Sequence, residues 1–169
     1  MTSNAKSLVV VFSATGNTKK VAEHLASAIQ ADFFELQPVQ PYTDADLDWT
    51  DKKSRSSVEM NDRSCRPAIV EMPSDLANYG TIYIGFPIWW YREPSIIDTF
   101  VESNADALAG KTIVPFATSG GSGMGDSSIY LQELAPAARV VEGKRFRVGV
   151  TSEELVEWAA QASSTSTNP

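Results

Sequence analysis

The chain has one cysteine, Cys65, and one histidine, His24, in 169 residues. A lone cysteine excludes an internal disulfide, and no metal site is expected. Cys65 lies in a polar segment and reads as incidental rather than as a reactive thiol. His24 falls inside a helical pattern and reads as a surface position rather than a proton-transfer group. Long apolar runs are also missing. No stretch approaches the ~20 residues a membrane helix needs, and Met1 to Ser7 lacks the apolar core of a leader, so a soluble, unprocessed, cytoplasmic protein is the expectation. Positive charge is in short supply: 14 Lys and Arg face 21 Asp and Glu, a net charge of −7. That balance argues against nucleic acid and anionic membranes and suits steering toward a basic partner. Two nucleotide signatures are absent as well. There is no G-x-x-x-x-G-K-[ST], and no G-x-G-x-x-G follows the first apolar run.

With 43% hydrophobic residues, the length suits one domain able to bury a core without staples. Residues 1–162 are read as that domain and 163–169 as a polar, disordered tail. Leu8 to Phe12 reads as a strand buried on both faces, and Val21, Ala22, Leu25, Ala28 and Ile29 repeat with helical spacing. Between them lie Ser13, Ala14, Thr15, Gly16, Asn17 and Thr18. A loop feeding a helix N-terminus meets unpaired backbone N–H groups and the positive end of the macrodipole, which together stabilise a phosphate. Ser13, Thr15, Asn17 and Thr18 add side-chain donors, and Gly16 allows positive φ. Taken alone, the stretch fits a helix cap as well as an anion cradle.

Further strands are expected at Asp32 to Leu36, Thr81 to Phe86, Thr112 to Phe116, and, less regularly, within 139–150 around Phe146-Arg147-Val148. Residues 38–67 hold three prolines and many charges without a sustained period, although Asp44 to Ser57 has room for a helical turn or two. A connection that long in a compact domain is usually functional or mobile. Just past the third strand come Pro87, Ile88, Trp89, Trp90 and Tyr91, then Glu93-Pro94, which opens a helix with Ile96, Ile97, Phe100 and Val101 on its buried face. Aromatics beyond the carboxyl end of a strand favour a wall for a flat ligand over simple packing. Ala117 to Asp126 is rich in glycine, serine and threonine, and offers hydrogen bonding through the main chain. A helical pattern at Ile129, Tyr130 and Leu134 follows, and a final helix is expected to start with Ser152 as N-cap ahead of Glu153 and Glu154. Strands alternating with helices give an α/β fold with a parallel sheet covered on both faces.

Ser-Ala-Thr-Gly-Asn-Thr, Gly85-Phe86-Pro87-Ile88-Trp89-Trp90 and Pro115-Phe116-Ala117-Thr118-Ser119-Gly120-Gly121-Ser122-Gly123 follow one another in an order and at separations that resemble the short-chain flavodoxins. The resemblance covers most of residues 7–150. It implies a flavodoxin-like doubly wound sheet of five parallel strands in the order 2-1-3-4-5, with the loops after strands one and three sharing a crevice. It also implies FMN. The phosphate would lie in residues 13–18, the isoalloxazine against Trp89, Trp90 or Tyr91, and the pyrimidine edge against Thr118, Ser119, Gly120, Gly121, Ser122 and Gly123. In that family the long excursion carries a Tyr-Thr pair, a Glu and an Arg-Pro, matched here by Tyr42-Thr43, Glu59 and Arg66-Pro67. Arg66 is expected to pair with an acid, Glu59 being the candidate, and so pin the loop; a solvated charge is the competing reading.

The implied function is a low-potential electron carrier between redox partner proteins with basic docking surfaces. An FMN-dependent NAD(P)H:quinone-type reductase and a non-catalytic flavin-binding regulatory module are the alternatives, since fold alone does not decide function. A receiver domain is disfavoured because Ser13-Ala14 stand where its acceptor Asp would be. Two departures from the family bear on the potential. No glycine occurs between Gly85 and Gly110 to ease a peptide flip beside the flavin, which predicts weak stabilisation of the one-electron-reduced form. Tyr91 replaces a small residue, and an Arg92 facing the flavin would raise the potential by favouring the anionic reduced form.

Overall fold

A computed structural model describes residues 6–118 and 123–164. The central sheet carries β1 (Lys6–Val11), β2 (Asp32–Glu35), β3 (Tyr79–Pro87), β4 (Thr112–Thr118), β5 (Arg139–Val140) and β6 (Lys144–Phe146). Their order is β2-β1-β3-β4-β5, with β6 also paired to β4, and every pairing is parallel. The expected five-strand order is therefore present. Its last strand is broken into two short pieces along β4, and of Phe146-Arg147-Val148 only Phe146 belongs to a strand.

Alternation along the strands builds two cores. Leu8, Val10, Ile82, Ile84 and Phe86 face one side, where α3 (Ser95–Ser103), α4 (Ala105–Leu108) and α5 (Ser127–Leu134) cover them. Val9, Val11 and Tyr83 face the other, against α1 (Asn17–Ile29) and α6 (Ser152–Ser164). Burial on both faces explains why β1, β3 and β4 read as continuous apolar runs rather than alternating ones. Ile96, Ile97, Phe100 and Val101 of α3 are fully buried, as expected. On α5 the inward residue is Leu131, while Ile129 is exposed. The period was legible there but its phase was not.

The cap of α6 also differs by one residue. Thr151 Oγ1 accepts from the Glu154 N–H, and the Glu154 carboxylate accepts from the Thr151 N–H, a reciprocal capping box with Thr151 rather than Ser152 as its N-cap. Ser152 instead meets His24 Nε2 at 2.6 Å, joining α6 to the outer face of α1. α6 runs through Ser164, two residues into the stretch expected as a tail, and the rest of that tail lies outside the described residues. Among the described residues no helix is long and apolar enough to cross a membrane, and no group of His, Cys, Asp and Glu could hold a metal ion.

Candidate functional site

The loop after β1 is set by backbone geometry. Phe12 N–H still pairs with the Gly85 carbonyl at 3.0 Å, after which the chain leaves the sheet. Gly16 caps α1 at φ 96°, a conformation that disfavours any side chain. Its N–H donates to Ser13 Oγ at 3.0 Å, which folds the loop back over the first amides of α1. Thr18 is buried, and its hydroxyl bonds that of Thr118 at 2.7 Å, fastening the helix to the end of β4. That hydroxyl is thus engaged with the sheet, and what Thr18 offers the loop is its N–H. Thr15 and Asn17 are exposed, and Ala14 is half-buried beside them. Lys19 turns away to Glu35 at 3.1 Å, so the anion-attracting feature is the helix end itself.

The connection after β3 is a tight hairpin. Trp89 and Arg92 exchange both backbone hydrogen bonds, at 3.1 and 3.2 Å, around Trp90 and Tyr91. The two central residues have φ of 50° and 65°, the type I′ pattern that normally selects Asn-Gly. Trp89 is held edge-on by Phe12 and Tyr42, with ring centroids 5.7 and 5.4 Å away. Trp90 and Tyr91 stand outward, 36% and 71% exposed. The Tyr91 carbonyl accepts from the Asp126 N–H at 3.1 Å. Gly125, at φ 60°, lies so close that a Cβ there would overlap this carbonyl.

Arg92 does not face the cleft. It is buried with Glu93 and Asp98, its Nη1 3.1 Å from Asp98 and 3.7 Å from Glu93, while Nη2 reaches the Met60 carbonyl at 3.4 Å. One cation thus serves two buried carboxyl groups. Burial, and then the charge of the neighbouring Asp98, raise the Glu93 carboxyl well above the ordinary carboxylate range and favour its neutral form.

The long excursion is ordered by a different ion pair from the one expected. Glu59 accepts from Tyr42 Oη at 2.5 Å and from Arg55 Nε at 2.9 Å, and the Arg55 guanidinium lies 3.8 Å from the Tyr42 ring centre. Burial and Glu59 raise the Tyr42 hydroxyl far above its ordinary range, keeping it a donor. Arg66 pairs instead with Glu102 on α3 at 2.9 Å, pinning the far end of the excursion. Arg55, four residues before Glu59 on α2 (Arg55–Met60), is closer to it by helical spacing. Cys65 is half-buried, and burial raises its thiol, so nothing activates it.

These elements enclose a cleft of about 640 Å³, lined by Ala14 and Thr15, by Pro87, Ile88, Trp89, Trp90 and Tyr91, and by Leu47, Trp49 and Ser56. The first loop and the aromatic turn therefore share one crevice. The three excursion residues were not singled out from sequence; the one available signal was an unexplained tryptophan in a polar, period-free segment. Thr118 lies at the buried end of β4 and Gly123 is exposed, whereas Ser119, Gly120, Gly121 and Ser122 lie outside the described residues.

A parallel sheet of this order, with a helix-terminal loop and an aromatic turn meeting beyond its strand ends, defines an open, doubly wound α/β protein. A family model described as Flavodoxin matches residues 6–162, and the chain belongs to the flavodoxin family. The chain is similar, at 45% identity, to a crystal structure described as a flavoprotein of Bacteroides eggerthii DSM 20697; 95% of this chain and 99% of that one are covered, with a TM-score of 0.88. A second such structure, from Bacteroides uniformis ATCC 8492, is also 45% identical, over 93% and 99% of the two chains, with a TM-score of 0.84. A flavoprotein of Lactobacillus acidophilus NCFM, solved in complex with FMN, shares the fold at 23% identity, 92% and 99% coverage and a TM-score of 0.70. Among curated proteins none matches the chain significantly.

Proposed function

We propose that this protein binds FMN and works as a low-potential electron carrier between partner proteins. The observation that carries the reading is the single crevice shared by the Gly16-capped loop and the Trp89–Tyr91 turn. The residues fit the group. The first amides of α1 suit a phosphate, the exposed faces of Trp90 and Tyr91 suit a planar heterocycle, and about 640 Å³ falls within the range of small-molecule sites. The FMN complex of the Lactobacillus acidophilus relative supports the same assignment. Bound FMN would supply the redox chemistry.

Residues 13–18 hold the phosphate and residues 87–91 orient the ring and exclude water from it. The burial of Arg92 matters for the potential. With its guanidinium on Asp98, it would offer no counter-charge to bound FMN, and the net charge of −7 would disfavour added negative charge there. Both effects lower the potential. The same acidic surface suits partners with basic docking faces.

The test is titration of the flavin-free protein with FMN, read by flavin fluorescence, followed by anaerobic addition of NADH or NADPH. Tight quenching without oxidation of either nicotinamide supports the carrier. Fast nicotinamide oxidation passed on to a quinone refutes it in favour of a reductase, and absence of FMN binding refutes the cofactor assignment.

A further inference from the structure

The hairpin that carries Trp90 and Tyr91 stands on two feet, Trp89 and Arg92, and both are tied to α2. Along the first arm, Trp89 meets the edge of the Tyr42 ring, and Tyr42 Oη donates to one Glu59 carboxylate oxygen at 2.5 Å. Arg55 completes this arm. Its Nε donates to the other Glu59 oxygen at 2.9 Å, its Nη1 to the Gln40 carbonyl at 2.6 Å, and its guanidinium covers the Tyr42 ring. The phenol is therefore fixed at its face, at its hydroxyl and through the backbone leading into it. Along the second arm, Arg92 Nη2 donates to the Met60 carbonyl at 3.4 Å. Ser95 Oγ, at the start of α3, donates to the Glu59 carbonyl at 3.3 Å.

Glu59 belongs to both arms, by its carboxylate in one and its carbonyl in the other. It is 8% exposed, and a buried carboxylate is tolerated only where its partners are well placed. α2 has six residues and buries Ser56, Ser57 and Glu59 beside Met60, a polar set that adds little hydrophobic stabilisation. Its contacts with the hairpin give that burial a use.

Resting on the FMN reading, we propose that Glu59 is a positioning residue for the flavin site. Through Tyr42 and Trp89 on one side, and through the end of α2 on the other, it fixes the pose of the Trp89–Tyr91 turn. Trp89 lines the cleft and Glu59 lies behind that wall, so its effect on the cofactor passes through other side chains. A turn fixed in advance has less freedom to lose on binding.

The test compares wild type with Glu59→Gln, Tyr42→Phe, the two combined, and Arg66→Ala. Each protein is measured for its flavin-free thermal midpoint, its FMN Kd, and the visible circular dichroism of FMN at saturation, a band set by how the ring sits among its neighbours. Tyr42 and Arg55 donate to different Glu59 oxygens, so in Glu59→Gln one of them faces an amide N–H. Glu59→Gln and Tyr42→Phe each raise the FMN Kd about fivefold or more and alter the band. Because they cut one arm, the double variant exceeds the worse single one by less than about twofold. Arg66→Ala cuts the other pin of the excursion, at Glu102 and at the Arg63 and Cys65 carbonyls. It lowers the midpoint yet leaves the Kd and the band at their wild-type values. If wild type binds FMN and Glu59→Gln keeps its Kd and band, or the two single losses multiply in the double variant, the positioning role is overturned and the cofactor assignment stands. The same holds if Arg66→Ala weakens FMN as much as Glu59→Gln, since general loosening of the excursion then accounts for both. If wild type does not bind FMN, both readings fall.

Discussion

Replacing Glu93 by glutamine keeps the shape of the side chain and imitates its neutral form. In the unfolded chain a glutamate ionises near 4.3, at about its ordinary value. In the fold, burial and Asp98 hold the proton far above that. The folded state therefore keeps a proton that the unfolded chain releases. The stability this provides is complete below about pH 4.3 and is lost as pH rises toward the folded value, at up to about 1.4 kcal/mol per pH unit. Across neutral pH that loss draws on the roughly 5–15 kcal/mol that holds a typical domain together. Glu93→Gln has no such proton to lose. It should match wild type near the acidic end and exceed it by a margin that widens with pH. Urea unfolding of both flavin-free proteins at a series of pH values and constant salt gives that margin directly. Parallel stability curves would refute the buried neutral carboxyl, and so would a glutamine variant that is the less stable of the two at alkaline pH. Glu93→Ala serves as the contrast: it opens a cavity, and its cavity penalty of about 2 kcal/mol or more applies at every pH.

Three further substitutions probe the frame of the site. Tyr91→Gly relieves a left-handed aromatic at the second position of the type I′ turn, so the flavin-free protein gains up to about 1 kcal/mol in urea unfolding while FMN affinity falls with the lost ring. Gly125→Ala combines positive φ with overlap against the Tyr91 carbonyl; a loss of about 2 kcal/mol or more is expected, together with weaker FMN binding as the turn is displaced. Thr151→Ala removes half of the α6 capping box and costs about 1 kcal/mol, with the FMN Kd unchanged because α6 covers the opposite core from the cleft.

The strands and their cover on both faces were legible because β1, β3 and β4 are continuous apolar runs bounded by turn residues, whereas the order of the sheet came from the resemblance to the flavodoxins. The loop at 13–18 was legible for a similar reason: Gly16 sits where a strand-to-helix turn needs positive φ. What sequence could not supply was direction. Ile129 and Leu131 are both apolar and two residues apart, so choosing the inward one needs the helix phase, which only the packing of α5 against α3 fixes. Arg92 follows three aromatics, and its proximity in sequence suggested the flavin, yet the hairpin reverses the chain and sends its guanidinium to Asp98. Arg66 and Glu59 looked like partners along the excursion. Arg55 was the nearer by helical spacing, and Glu102, the partner of Arg66, is distant in sequence. Ion-pair partners across a fold leave no local trace, and the place of Trp49 on the cleft wall was missed for the same reason, since it depends on what stands beside it.

The type I′ turn shows how the site is held in shape. Trp90 and Tyr91 each occupy the left-handed region at a cost of about 1–2 kcal/mol, which any Asn-Gly turn would avoid. In return for that cost the turn presents two aromatic rings at the cleft. Three attachments oppose relaxation: Trp89 wedged between Phe12 and Tyr42, the Arg92 side chain anchored at Asp98 and Met60, and the Tyr91 carbonyl held by Asp126. Each reaches a different part of the fold, respectively the residue just after β1 with the excursion, α3 with α2, and the segment before α5. The strain is therefore spread over the surrounding fold, and the aromatic wall stands in place before any ligand arrives. A wall already in place loses little further freedom on binding, so more of the contact with a flat ring appears as affinity.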